Sequence, residues 1–234
     1  MSECSGAPSA VLFDLDGTLV DTAPDLAAAT NALRARHALP PLPVATIRGE
    51  ISRGASALVA LALGIEADHP QHDEAKGYLL ARYADGVALE SALFDGLGGV
   101  LTRYRRAGRP WGIVTNKPRH FTAALLDALG LRPDVLLCAD DLPVVKPDPA
   151  PLLAAAGRLG AAPETCWYIG DHLRDIQAAR SAGMTAIAAT YGYLHEEDDP
   201  NTWQADRIVT TPAELAALLL SSLGIPGDDA AAPA

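Results

Sequence analysis

Short apolar runs at residues 11–13, 111–115, 135–138, 167–169, 185–189 and 207–209 punctuate the chain, with helical stretches between them. Strand and helix in alternation predict a parallel sheet with crossover helices. The expected fold is an α/β, Rossmann-like, doubly wound core. In such a sheet the functional side chains gather on loops beyond the carboxyl ends of the strands.

One segment breaks the alternation. Residues 23–93 carry no strand-like run, only Ala- and Leu-rich stretches interrupted by Pro40, Pro41, Pro43, Gly54, Gly64 and Pro70. That pattern predicts a small all-helical insert after the first strand. Its first helix is expected to be capped by the Thr22 hydroxyl, with Pro24 in the first turn and Asp25 three residues after the cap. Gly108, Gly130 and Gly160 stand where core helices should stop. The expected organisation is a core over 10–20 and 95–225, the insert over 21–94, and fraying tails at 1–9 and 226–234.

Composition narrows the partners. The 234 residues are 49% hydrophobic, enough to bury a sizeable core. Eighteen Lys and Arg against 29 Asp and Glu give a net charge of −11, which repels nucleic acid and anionic membrane and points to small substrates. Cys4, Cys138 and Cys166 form no metal-binding or disulfide pattern, and reduced, buried thiols are expected. No apolar run reaches the ~18 residues of a membrane span, and the expected location is cytoplasmic.

Four polar clusters follow predicted strand ends. In Asp14-Leu15-Asp16-Gly17-Thr18 the two acids lie two residues apart and point the same way on extended backbone, with Gly17 permitting a tight turn. Carboxylates this close repel unless a divalent cation binds or one keeps its proton. Taken alone, such a pair more often caps a loop. Thr115-Asn116-Lys117-Pro118 offers a hydroxyl and backbone N–H groups at a strand-to-helix junction, either an anion site or an ordinary helix start. Lys146 sits in a rigid Pro-flanked turn, suited to a phosphate or to bridging carboxylates, although a surface lysine is the commoner case. Asp171 and Asp175, four apart, share a face on an opening helical turn, where acids also occur for structural reasons alone. His172 has no second histidine at ligand spacing and reads as a loop residue.

The order of these motifs, DxDGT, then a strand-end Thr, then a Lys, then GDxxxD, resembles the haloacid dehalogenase superfamily over about residues 11–220. The insert resembles the helical cap domain of its phosphoglycolate phosphatase-like branch. The resemblance implies a phosphomonoester hydrolase with Asp14 as nucleophile, through an aspartyl-phosphate, and Asp16 as acid/base. It implies Mg2+ held by Asp14, Asp171, the Asp16 backbone carbonyl and waters on Asp175, and a phosphate cradle of Thr115, Asn116 and Lys146. Specificity residues are expected in the cap, with Arg48, Ser52 and Arg53 as candidates beside the alternative of helix-surface charges. Stretches 50–52, 93–96, 111–118 and 191–206 resemble the bacterial N-acetylmuramic acid 6-phosphate phosphatases of peptidoglycan recycling, with His172 departing where a second acid is expected. A phosphoglycolate phosphatase is the alternative, followed by a sugar phosphomutase or a non-catalytic phosphate-binding module. No oligomeric state is implied.

Overall fold

The computed structural model describes residues 7–224. Its centre is a six-stranded sheet, β1 (Ala10–Phe13), β4 (Trp111–Val114), β5 (Val135–Leu137), β6 (Cys166–Gly170), β7 (Thr185–Ala189) and β8 (Arg207–Val209), in the order β5-β4-β1-β6-β7-β8. Every pairing is parallel, with Phe13 beside Ile113 on one side and Ile169 on the other. β1 is therefore central, and the chain leaves it at Asp14 with both neighbouring strand ends alongside.

Side-chain alternation divides the core. Val11, Phe13, Trp111, Ile113, Trp167 and Ile169 pack on one face with α5 (Leu97–Arg106) and α9 (Pro212–Ser222). Ala10, Leu12, Val114 and Tyr168 face the other way, onto α7 (Ala150–Arg158) and α8 (Leu173–Ser181). In α5 the buried residues Leu97, Val100, Leu101 and Tyr104 repeat at helical spacing, while Arg103, Arg105 and Arg106 fall near its carboxyl end, where cations suit the helix dipole. Gly108, Gly130 and Gly160 all have positive φ, each two residues after its helix, as the stop signals predict.

Between β1 and α5 stand four helices, α1 (Ala23–Arg36), α2 (Val44–Ile51), α3 (Ala55–Leu63) and α4 (His72–Asp85), with an apolar cluster of their own built on Leu33, Ile47, Leu58, Leu79 and Tyr83. Phe121 of α6 (Arg119–Ala128) and Tyr193 join this cluster from the sheet side.

Three local expectations change. The insert carries a two-residue strand, β3 (Ala92–Leu93), antiparallel to β2 (Val20–Asp21), so the two chain crossings are laced together. Thr22 makes no side-chain cap bond: its hydroxyl donates to Asp16 Oδ1 at 2.6 Å. Asp25 is buried and accepts the backbone N–H groups of Glu90 (2.9 Å) and Ser91 (3.0 Å), closing the insert's entry onto its exit rather than serving the helix end. Of the expected tails, residues 1–6 and 225–234 lie outside the described residues, while Ser9 N donates to Thr165 O at 2.8 Å. Cys138 and Cys166 are free and buried, and Cys4 lies outside the described residues. Among the described residues no helix is long and apolar enough to cross a membrane.

Candidate active site

Asp14, Asp171 and Asp175 converge beyond the ends of β1 and β6, all buried, with one carboxylate oxygen of each within 4.8 Å of the others. Lys146 is buried among them: its Nζ is 2.9 Å from Asp14 Oδ1, 2.7 Å from Asp175 Oδ1 and 2.7 Å from the Tyr168 hydroxyl. The Asp14 contact has ion-pair distance without hydrogen-bond angles, so that oxygen has no hydrogen-bond partner. Glycines make room for the acids. A Cβ on Gly17 (φ +82°) would overlap Asp171 Oδ2, one on Gly192 would overlap Asp171 Cβ, and one on Gly170 would overlap Asp175 Cβ.

The charges do not balance. Burial works to raise the Asp14 pKa, but the Lys146 ammonium outweighs it and holds Asp14 ionised. Lys146 loses hydration on burial, yet Asp14 and Asp175 keep it protonated. Asp171, with no cation of its own, is pushed up to about 8 by burial and by the charges of Asp14 and Asp175. Burial also raises Asp175, with Lys146 offsetting part of the rise and Asp14 adding to it. The three acids outnumber the one lysine buried among them. An oxygen-only donor set and an excess of acid fit a hard divalent ion.

Asp16 stands outside that cluster. Its Oδ1 accepts from Lys117 Nζ at 2.9 Å and from the Thr22 hydroxyl at 2.6 Å. The repulsion expected between the two strand-end acids is relieved by separate lysines. Lys117 Nζ also lies 4.6 Å from the ring centroid of Tyr83 on α4. Tyr83 is 1% exposed, and its hydroxyl has no hydrogen-bond partner. Sequence reasoning missed Lys117, Tyr83, Tyr168 and Arg174. Lys117 and Arg174 carried a signal, the one directly after Thr115-Asn116 and the other directly before Asp175.

A cavity of about 760 Å³ opens over this edge of the sheet, lined by Asp14, Asp16, Thr115, Asn116, Lys117 and Arg174 below and by Leu58, Leu79 and Tyr83 of the insert above. Ser52 and Arg53 also line it. Arg48 does not: it pairs with Asp21 at 2.8 Å and lies over the Tyr193 ring, because β2 offers it a carboxylate nearer than the cavity. Thr115 Oγ1 accepts the Lys117 N–H at 3.2 Å, leaving its own proton free to donate. Asn116 is engaged differently from the expected cradle. Its amide exchanges bonds with the Lys146 backbone, at 2.9 and 3.1 Å, which fixes one loop against the other. Asp171 precedes α8 rather than lying on it, and His172 is that helix's cap, its Nδ1 accepting from Arg174 N at 3.2 Å while Asp175 accepts from His172 N at 3.1 Å. Burial and the nearby Arg174 push the His172 pKa down to about 4, which keeps that nitrogen an acceptor.

A parallel sheet that gathers buried acids and a lysine at its carboxyl edge, with helices of the insert across the cavity, defines an α/β protein with a polar site at its strand ends. The sequence matches the haloacid dehalogenase-like hydrolase family over residues 8–183, and the chain belongs to that family. It is 46% identical over 212 residues to an N-acetylmuramic acid 6-phosphate phosphatase of Pseudomonas aeruginosa, covering 90% of this chain and 94% of that one. It is 44% identical over 210 residues to a phosphoglycolate phosphatase of Xanthomonas campestris, covering 89% and 95%. The crystal structure of a predicted phosphoglycolate phosphatase from Haemophilus somnus superposes with a TM-score of 0.79 at 28% identity, covering 93% of this chain and 99% of that one.

Proposed function

We propose that the chain is a Mg2+-dependent phosphomonoesterase whose physiological substrate is N-acetylmuramic acid 6-phosphate, with residues 21–94 serving as its cap. The observation that carries the chemistry is Asp14 held ionised by Lys146 at 2.9 Å beside two further buried carboxylates. Asp14 attacks phosphorus in line with the ester oxygen: the Asp14–phosphorus bond forms as the ester bond breaks, and Asp16 gives a proton to the departing alkoxide. Asp16 then takes a proton from the water that attacks the acyl phosphate, which returns Asp14 and releases phosphate. Thr115 and Arg174 line the floor as donors for the phosphoryl oxygens, and the buried Lys146 holds Asp14 from behind. Asp14 and Asp171, with the Asp16 carbonyl and waters on Asp175, would hold the Mg2+, which supplies charge neutralisation at the phosphoryl group.

Size and lining support the sugar phosphate. A cavity of about 760 Å³ walled by Leu58, Leu79 and Phe121 suits a hexose bearing acetyl and lactyl groups better than a two-carbon acid. Arg53 and Lys76 on the same wall offer charge to a distal carboxylate. The names of the relatives favour two substrates, so 2-phosphoglycolate is the second reading. Free cysteines at 138 and 166 agree with a reducing cytoplasm. The deciding experiment compares kcat/KM for the two esters with Mg2+ present. A preference of about a hundredfold or more for the muramic ester is expected, and a preference for 2-phosphoglycolate would overturn the substrate assignment.

A further inference from the structure

We infer that Lys117 is the positioning residue for Asp16, and that helix α4 of the insert holds Lys117 in place through Tyr83. The inference rests on the phosphatase reading and adds to it the group that aims the acid. Two donors, Lys117 Nζ at 2.9 Å and the Thr22 hydroxyl at 2.6 Å, converge on one oxygen of Asp16, Oδ1. Among the described residues no protein donor reaches Oδ2, and Asp16 lines the cavity. With Oδ1 taken, a proton on this carboxyl sits on Oδ2, the oxygen left for an ester oxygen in the cavity.

The clamp is built from three separate places in the fold. Thr22 ends the β2 crossing into the insert, Lys117 follows β4, and Tyr83 lies on α4 with its ring against the ammonium at 4.6 Å. Lys117 is fixed at its backbone too, with its N–H donated to Thr115 Oγ1 at 3.2 Å and its carbonyl accepting from Ala139 N at 3.2 Å. Its side chain is only 8% exposed. A buried cation over an aromatic face has few alternative positions, so the distance to Asp16 is set by where α4 sits. The aim of the acid therefore depends on contacts from both sides of the cavity.

Leaving-group chemistry separates aiming from other roles. A sugar alkoxide needs a proton to depart, whereas a nitrophenolate leaves without one, and kcat/KM reports only steps up to formation of the acyl phosphate. In Lys117→Met, kcat/KM for the sugar phosphate should fall by about a hundredfold or more, while that for p-nitrophenyl phosphate falls less than about tenfold. Lys117→Arg should restore part of the sugar-phosphate rate. Thr22→Val, which removes the other donor with a near-isosteric side chain, should show the same asymmetry at smaller size and serves if the lysine variants fail to fold. Equal losses on both esters in Lys117→Met and in Thr22→Val, with the wild-type chain active on both, would overturn this inference alone. A wild-type chain that hydrolyses neither ester would overturn the phosphatase reading and the inference with it.

Discussion

The floor and the roof of the cavity are made by different means. At the floor and just beneath it, Asp14, Asp171, Asp175 and Lys146 are fixed by strand ends, mutual ion pairs and glycines that leave no space for a Cβ. The roof is a helical wall in which Leu58, Leu79 and Tyr83 supply shape and Tyr83 supplies a buried, unpartnered hydroxyl. The floor is over-determined because its charges must be balanced in a low-dielectric setting, and each group's state depends on the others. The roof's charges, Arg53 and Lys76, stand at the cavity wall rather than in a buried cluster, and Tyr83 is its contact with Lys117. On the proposed function, the contrast puts bond-making on the floor and most of the choice of substrate on the roof, with Tyr83 the point where the two meet.

The strongest test of that contrast removes the floor's central charge. Asp14→Asn should lower kcat by about 10⁴-fold or more, while Tm without metal should hold or rise, since the change removes one negative charge from a cluster with more acid than base and leaves Lys146 paired with Asp175. Steady-state kinetics and thermal denaturation read the two effects. Next comes a pair of glycines. Gly192→Ala forces a Cβ onto Asp171 and should cost about a hundredfold in kcat with a lowered Tm. Gly77→Ala, inside α4 with open space around it, should instead stabilise the protein by about 0.5–1 kcal/mol with activity kept.

Metal affinity gives a third test, with a definite sign. The Asp171 pKa is raised from 3.8 to about 8 in the metal-free fold, so its contribution to stability is full below the lower value and is lost progressively as pH rises to the upper one. A divalent ion restores what is lost, and below pH 8 it must displace a proton to bind. Apparent Mg2+ affinity, followed by titration calorimetry, should fall by about ten- to a hundredfold from pH 8 to pH 6, and the Mg2+-induced rise in Tm should shrink with it. The smallest effect belongs to the roof. Tyr83→Phe should change KM for the sugar phosphate by a few-fold with little change in Tm, because the ring that meets Lys117 is kept.

Legibility in the sequence followed the same division. All six apolar runs are strands of one parallel sheet, and the residues just beyond them line its carboxyl edge, because strand burial and strand-end placement are local properties written in consecutive residues. The roof was legible only as helices. Tyr83 is one apolar-face residue among several on α4, and nothing near it in the chain says that it meets Lys117. The Lys117 contact with Asp16 spans 101 positions and joins two motifs that each looked complete without it. Thr22 and Asp25 matched a helix-start pattern, yet their side chains serve Asp16 and the insert's exit. Local propensity is satisfied equally well by either use, and only tertiary packing decides between them.

The central claim is that Asp14 carries the phosphoryl group during turnover. Acid quench during turnover of the sugar phosphate, followed by borohydride reduction, converts an acyl phosphate to the alcohol, so peptide mass spectrometry should find homoserine at position 14, dependent on Mg2+. Phosphate release with position 14 unreduced, together with undiminished activity in Asp14→Asn, would contradict it.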